Sequence, residues 1–429
     1  MNVSNLMHLH TFIEPLVLYL PVSVAVILWL SLNIYPRLRV AIVMTTLWQV
    51  ATLPWVNFLA SSQNWWQFTT TGPSLFGIPA SFYLGWIVLW GIISTICLGK
   101  LPTRYSFPIV LIFFGLLDLF CMPLLQPVLE LSPQWLIGEL FLLILCLTPS
   151  LWLAHLTLLC RGLPQRSSLI CFAFCLFVIG VLPFCTSPNI KQELALQPQR
   201  YSHLAHALWL GAFFTTAIPG VSAAIEFVRI GHGTPIPFDP PQKLTTSGVY
   251  AYLKNPMQTS MAASLIIWGL YWNSPLCYIL ALVSCIYSVG IAHWSENDDL
   301  EKRFGSRWSN YKKSVRSWIP RWRPYPQNSP ARIYFDLECD SCSMIARWFQ
   351  RRIENDLQLH PSNSHPSGKL KRVSYEFADQ NERVTGVIAI GCALQHIHFG
   401  WAFVGWIIQL PLISHIAQVS MDSVIPPKP

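Results

Sequence analysis

The chain of 429 residues is 53% apolar and 13% aromatic, with only 11% charged residues, far below the roughly one-quarter charged content of soluble domains. That composition excludes an ordinary soluble globular protein and predicts a polytopic membrane protein. The net charge of +8 is unevenly spread, since residues 1–230 hold nine of the 28 Lys and Arg and the last 199 residues hold the other nineteen; with no nucleic-acid module or phosphate-binding loop, this basic balance points to a membrane surface and not to nucleic acid.

In chain order, the N-terminal MNVSNLMHLHTFIEP lacks Lys and Arg, so no secretory signal is expected, and the apolar run from Phe12 to about Tyr35 is long enough to span and to remain in the protein. Further spans are predicted near Leu38 to Ala60, Ala80 to Gly99, Pro108 to Leu129, Leu136 to Cys160, Ser168 to Cys185, Leu204 to Val228, Gln258 to Trp272 and Pro275 to His293. The expected fold class is an all-α polytopic membrane protein of about nine transmembrane helices, the last two short and joined as a hairpin. Arg37 and Arg39, Lys100 and Arg104, and Arg161 and Arg166 fall in alternate loops, while 61–79 and 126–134 contain no Lys or Arg; Lys191 and Arg200 are the discordant pair. Cytoplasmic loops retain basic residues, so the N-terminus is expected outside and everything after the ninth span in the cytosol, with a cell inner membrane as the site.

Asp118, Glu139, His155 and Glu226 lie in or near apolar segments, where an ionised group is costly and faces protein or water. With one carboxylate per helix and no matched pair or metal-type spacing, structural hydrogen bonding within the bundle is the favoured reading. The loop NWWQFTTTGPSLFGIP reads as an interfacial re-entrant element or belt.

After the seventh span, GHGTPIPFDPPQ is rich in glycine and proline and should be a loop. It reads either as a lid whose backbone amides face a small polar cofactor or, taken alone, more simply as a connector. In LTTSGVYAYLKNPM, Asn255 precedes Pro256 and should leave the helical region, so that Pro256 opens the eighth span at its first turn with Lys254 at the interface. The helix start and the Lys254 ammonium could bind an anionic group, although a snorkelling lysine explains the same position. In HWSENDDLEKRFG, Glu296, Leu300 and Phe304 share one helical stripe, suited to a cationic or hydrogen-bonding ligand or to an interfacial amphipathic helix.

The order and spacing of these elements resemble the catalytic core of the isoprenylcysteine carboxyl methyltransferase and phospholipid methyltransferase superfamily. That pattern runs G-x-G-T-P, then G-x-Y followed by a basic residue and N-P or H-P, a short hairpin, E-E-x-x-L-x-x-x-F-G and a W-I-P-R ending. Gly231, Gly233, Thr234, Pro235, Gly248, Tyr250, Asn255, Pro256, Met257, Glu296, Leu300, Phe304, Gly305, Tyr311 and the SWIPR from Ser317 carry it here. The resemblance implies an integral membrane methyltransferase using S-adenosylmethionine on a lipophilic acceptor: an isoprenoid, a lipid or a prenylated carboxylate or amine. It implies Glu296, Asn255 and Lys254 as catalytic residues. It implies cofactor contacts from Gly231, His232, Gly233, Thr234, Gly248, Tyr250, Tyr252, Lys254, Asn255, Pro256, Glu296 and Leu300. Lys254 stands where the family has Arg, losing the bidentate fork but not the charge; Gln258 takes an aromatic position and Asn297 that of a second Glu. Arg307, Lys312, Lys313, Arg316, Arg321 and Arg323 read as a belt for anionic headgroups or as a plain positive-inside flank.

Beyond PRWRPYPQNSP the composition becomes that of a soluble domain. ARIYFDLECDSCSMIARWFQRR reads as a strand, a turn carrying Cys339 and Cys342, and a helix; a helix N-terminus favours thiolate, the basis of thioredoxin-like redox chemistry. Asp336, Cys339 and Cys342 resemble the opening of the DCC family of thioredoxin-like proteins, with Leu337 in place of its glycine. Half a zinc site completed by His360, His365, His396 or His398 is the alternative for this pair. The other cysteines are expected as packing residues, and the run from Phe399 to Ile413 as a core or interface helix. Three domains result: an N-terminal bundle over 1–228, a methyltransferase-like core over 229–325 and a small α/β thioredoxin-like cytosolic domain over 326–429. A membrane-anchored thiol-disulfide oxidoreductase with a thiol partner, or a non-catalytic lipid-binding or transport protein, are the alternative functions. No metal and no nucleic-acid partner are expected.

Overall fold

The computed structural model describes residues 3–69, 73–101, 105–126, 128–182, 201–235, 241–327, 329–353, 356–368, 370–378 and 382–424, the side chains of 3–11 and 291–298 lying outside the described set. Packing divides the chain into two units, Met1–Arg200 with Gly233–Pro240, and Tyr201–His232 with Pro241–Pro429.

The first unit is a helical bundle of α1 (Val3–Ser31), α2 (Pro36–Ser62), α3 (Ala80–Lys100), α4 (Ser106–Leu124), α5 (Trp135–Leu158) and α6 (Leu163–Val181). Proline at the first turn opens α2 and α6, where its fixed φ and missing N–H cost nothing. Helices α2 and α3 cross closely: a Cβ on Gly91 would stand 3.0 Å from the Thr46 Cα, and the Thr45 hydroxyl donates to the Gly91 carbonyl at 2.7 Å. Small residues and hydroxyls hold helices together where lipid removes the hydrophobic drive. In the loop after α2, β1 (Trp66–Phe68) pairs antiparallel with a strand at Leu129–Leu131, and β2 (Ser74–Leu75) with β3 (Ile78–Pro79); Trp66 is buried and donates from its indole N–H to Asn57 at 2.9 Å. The described residues of this loop are therefore held by short strand pairs. Asp118 is buried and accepts from the Trp86 indole at 3.0 Å, a hydrogen bond within the bundle of the kind expected, and Glu139 is buried on α5.

The second unit begins with α7 (His203–Arg229), against which α8 (Pro256–Trp272) packs; α8 turns at Asn273, whose φ is +51°, into α9 (Pro275–Tyr287). A Cβ on Gly220 would meet the Ser260 Cβ at 2.7 Å, and Thr216 and Ser264 share a hydrogen bond at 3.0 Å. Helix α9 runs on through a π segment, Ser288–Ala292, into α10 (His293–Phe304); α11 (Ser306–Ser314) follows after Gly305. Among the described residues seven helices are long and apolar enough to cross a membrane, Phe12–Ser31 and α2 to α7. The expected eighth and ninth spans are present as the short α8–α9 hairpin: α8 has 17 residues and the apolar part of α9 runs over Pro275–Gly290, both short of the ~20 a bilayer asks for.

The tail folds into a sheet of β5 (Ala331–Phe335), β6 (Leu357–Pro361), β7 (Ser374–Glu376) and β8 (Arg383–Thr385), the Leu129–Leu131 strand being β4. The spatial order is β6-β5-β7-β8, with β5 parallel to β6 and the other pairs antiparallel. Helix α12 (Asp340–Gln350) connects β5 to β6, and α13 (Val387–Leu394), α14 (Phe399–Gln409) and α15 (Pro411–Val424) close the chain. Ile333, Phe335, Phe349, Tyr375, Phe377 and Cys392 share its core. Helices α13 and α14 pack at glycines, a Cβ on Gly405 falling 2.4 Å from the Gly391 carbonyl oxygen. At Leu410 the chain bends by 88°, because Pro411 pushes the preceding residue out of the helical region. Phe399–Gln409 is thus a helix against the core, with Ala402 and Trp406 buried.

Candidate active site

The apolar surface of α7 ends in a polar turn. Glu226 is buried and accepts a hydrogen bond from the Ser247 hydroxyl at 2.7 Å; the Arg229 guanidinium, one turn on, pairs with the same carboxylate. A buried carboxylate is tolerable only with such partners. Beside it Gly248 adopts φ +61°, and a Cβ there would stand 2.7 Å from the Glu226 carboxyl carbon. Glycine is required twice over at this point, by the left-handed backbone and by the space.

From Gly248 the chain makes a short 3₁₀ turn to Ala251 and is then laced to α11 and the segment after it. The Tyr311 hydroxyl donates to the Tyr250 carbonyl at 2.8 Å, Tyr325 N–H to the Ala251 carbonyl at 2.8 Å, Arg321 N–H to the Tyr252 carbonyl at 2.9 Å and Lys254 N–H to the Arg316 carbonyl at 2.9 Å. The GVYAYLKNP and SWIPRWRP segments form one hydrogen-bonded strap. Asn255 has φ −117° and ψ 60°, outside the helix, and Pro256 occupies the first turn of α8, as the sequence predicts. The Lys254 ammonium lies 6.0 Å from the Trp308 ring centroid. Leu300 packs against the buried cluster of Trp308, Tyr311 and Val315, and Gly231 accepts through its carbonyl from the N–H groups of Gln242 and Lys243. His232 stands 3.9 Å from Glu382.

A cavity of about 650 Å³ opens beside this turn, within the roughly 300–1,000 Å³ of small-molecule sites. Glu226, Ser247, Gly248, Lys243 and Arg307 line one part of it, and Tyr325, Tyr375, Phe377, Gln395 and His396 another. Among the described residues implied as catalytic or cofactor-binding by the resemblance, Gly248 alone borders the cavity, and Phe304 of the same motif block borders it too. Gly231, His232, Tyr250, Tyr252 and Leu300 support its surroundings. Lys254, Asn255 and Pro256 stand at the strap and the start of α8. Gly233 and Thr234 belong to the first unit, and the Glu296 side chain lies outside the described residues.

The Tyr252 hydroxyl donates to the Gln395 carbonyl at 2.6 Å, and its ring packs edge-on to Phe399 and Trp406. Burial pushes this phenol's pKa up, so it stays protonated. Its role is structural. Sequence reasoning missed Ser247, Arg229, Tyr375 and His396 as parts of one site. The available signal was Glu226 three residues before Arg229 at the end of a span, and the structural hydrogen bonding expected of Glu226 is present, to Ser247 and Arg229; Tyr375 and His396 carry no local signal at all.

In the tail, Cys339 caps α12 with partial exposure and Cys342 is buried in its first turn. Among the described residues no three His, Cys, Asp or Glu side chains converge to hold a metal ion. His365 is instead paired with Glu376 at 2.8 Å, His396 with Tyr375 at 2.8 Å, and His398 caps Gly400.

The phospholipid methyltransferase family model matches residues 204–307. That stretch runs from α7 to the opening of α11 and contains Glu226, Ser247, Gly248 and Arg307. It agrees with the membrane methyltransferase-like resemblance, whose block of 229–325 it overlaps. No curated protein and no solved structure matches the chain.

Proposed function

We propose that the protein is an integral membrane methyltransferase that uses S-adenosylmethionine and methylates a lipid. The observation that carries this reading is the coincidence of the matched stretch with a cavity built around Gly248 and the buried Glu226 carboxylate. The lining fits the cofactor's chemistry: a carboxylate and aromatic faces for cationic groups, and Lys243 and Arg307 for a carboxylate. When bound, S-adenosylmethionine supplies a methyl on a sulfonium, which an acceptor's lone pair takes as the carbon–sulfur bond breaks and a neutral thioether leaves.

The protein's own part is positioning. Ser247 and Arg229 hold the Glu226 carboxylate still, Gly248 leaves room for that carboxylate, and the strap from Tyr250 to Lys254 fixes the start of α8. Aligning nucleophile and methyl in a dry cavity can supply several kcal/mol with no acid or base. Loop charges support a cytosolic opening of this site, and the acceptor class of isoprenoid, lipid or prenylated group remains that of the family.

Transfer of radiolabelled methyl from S-adenosylmethionine to a lipid extract tests the reading. Glu226→Gln keeps the Ser247 hydrogen bond but leaves the Arg229 charge uncompensated, so label transfer should fall at least tenfold. Transfer by the variant at the wild-type rate would sink the assignment of this cavity.

We further read the C-terminal domain as thioredoxin-like, supported by its β6-β5-β7-β8 order, the parallel β5–α12–β6 unit and Cys339 at the cap of α12. Thiol-disulfide exchange at Cys339 and Cys342 is the function that geometry would serve.

A further inference from the structure

We propose that the C-terminal α/β domain is the closing wall of the methyl-donor cavity, and that His396, positioned by Tyr375, is the residue through which this domain holds the donor's adenosine portion. The inference rests on the methyltransferase reading above and adds a role for a domain outside the matched stretch.

The domain is joined to that stretch at several points. Arg229, beyond pairing with Glu226, lies with its guanidinium carbon 4.7 Å from the Phe377 ring centroid and has an amino group 4.0 Å from the Cys392 sulfur. Tyr252 reaches the Gln395 carbonyl, and just beyond the stretch Phe399 N–H donates to the Trp322 carbonyl of the strap at 2.8 Å. These contacts set β7 and the end of α13 against the cavity, where Tyr375, Phe377, Gln395 and His396 line it.

The two parts of the lining differ in charge. Glu226, Lys243 and Arg307 belong to the matched stretch and are charged, which suits the ammonium and carboxylate of an amino-acid end. The C-terminal domain contributes an amide, an imidazole and aromatic rings, which suit a purine and a ribose: rings to stack on, neutral donors and acceptors at the edges. Tyr375 and His396 Nε2 lie 2.8 Å apart. A buried phenol gives its proton to a hydrogen bond, so Tyr375 is the donor, and the imidazole proton then sits on Nδ1, making His396 a donor as well. Burial holds the imidazole pKa at about 4, so the group stays neutral near pH 7.

Calorimetric titration of the detergent-solubilised full chain with S-adenosylhomocysteine, repeated with adenosine alone, tests this. Wild type should bind both. His396→Ala should weaken both by about tenfold, the worth of one well-placed hydrogen bond, and His396→Gln, which restores a neutral donor, should recover most of the loss. Tyr375→Phe should fall between, since the ring stays packed while the tautomer is released. Met344→Ala, on the exposed face of α12, should bind as wild type does and exclude a general effect of altering the domain. Wild-type affinity in both His396→Ala and Tyr375→Phe overturns the proposal and leaves the methyltransferase reading standing. Equal weakening by His396→Ala and His396→Gln also overturns it, because packing and not donation would then matter. No binding by wild type overturns both readings together.

Discussion

The hydroxyl of Tyr252 and the carbonyl oxygen of Gln395 meet at 2.6 Å across 143 residues of sequence. This contact fastens the strap beside α8 to the end of α13, and both partners are buried. Tyr252→Phe keeps the ring against Phe399 and Trp406 but leaves the carbonyl unsatisfied, at a cost of about 1–3 kcal/mol; Tyr252→Ala also removes the ring, for about 3–5 kcal/mol. Thermal unfolding in detergent should rank wild type above Phe and Phe above Ala, with protease nicking after Gln327 rising in the same order. Equal melting of wild type and Tyr252→Phe would mean that the contact contributes nothing.

Gly248→Ala adds one methyl at a point with no room for it. The left-handed backbone costs an L-residue roughly 1–2 kcal/mol, and the new Cβ, 2.7 Å from the Glu226 carboxyl carbon, forces that carboxylate to move. The variant should fold with a melting point lowered by a few degrees and lose at least tenfold of its S-adenosylhomocysteine affinity. Gly211→Ala, where a Cβ meets nothing within 4 Å, serves as the comparison and should bind normally.

Much of this was legible in the chain because the signals are local. Hydropathy located the seven long helices, and the Asn255–Pro256 pair located the start of α8 through the steric rule on pre-proline residues. Glycine at 248 was visible as part of a motif, but the reason for it was not: the obstacle is the side chain of Glu226, 22 positions earlier. The shared cavity was illegible for the same reason, since Tyr375 and His396 reach it through sheet pairing and helix packing that bring together residues more than 100 positions apart. The short hairpin was legible from its apolar composition, and the turn at Asn273 and the polar segment after Ala292 set its length.

The two tail cysteines should differ in reactivity. Cys339 is partly exposed at the cap of α12, while Cys342 is only 6% exposed. With native protein, iodoacetamide should modify Cys339 first and reach Cys342 only on unfolding. If the thioredoxin-like reading holds, a disulfide substrate oxidises the two thiols to an internal disulfide, taking up two electrons and two protons, and dithiothreitol reverses it. Mass spectrometry of peptides spanning 336–347 resolves both outcomes, and simultaneous alkylation of the pair in the native state would contradict the structure's burial of Cys342.

Acid should loosen the C-terminal domain in a window set by His396. Burial lowers its pKa to about 4, against roughly 6.5 in an unfolded chain. Between those values the unfolded state binds a proton that the folded state refuses, so stability rises with pH and is lost as pH falls from about 6.5 toward 4. The full shift corresponds to about 3 kcal/mol at most. Tyr375 and Cys392, both pushed up by burial, the latter to about 12, stay protonated throughout and do not mask the effect, and the neighbouring Arg229 keeps its charge. Glu376 acts at lower pH: burial raises its pKa, but hydrogen bonds from His365 and Tyr334 outweigh this and hold it below the usual range, so its stabilisation is complete above its unfolded value and fades only in stronger acid. His396→Gln should therefore flatten the melting curve's pH dependence between 6.5 and 4 and leave the steeper loss below 4 in place. An unchanged slope in that variant would assign the transition to another group.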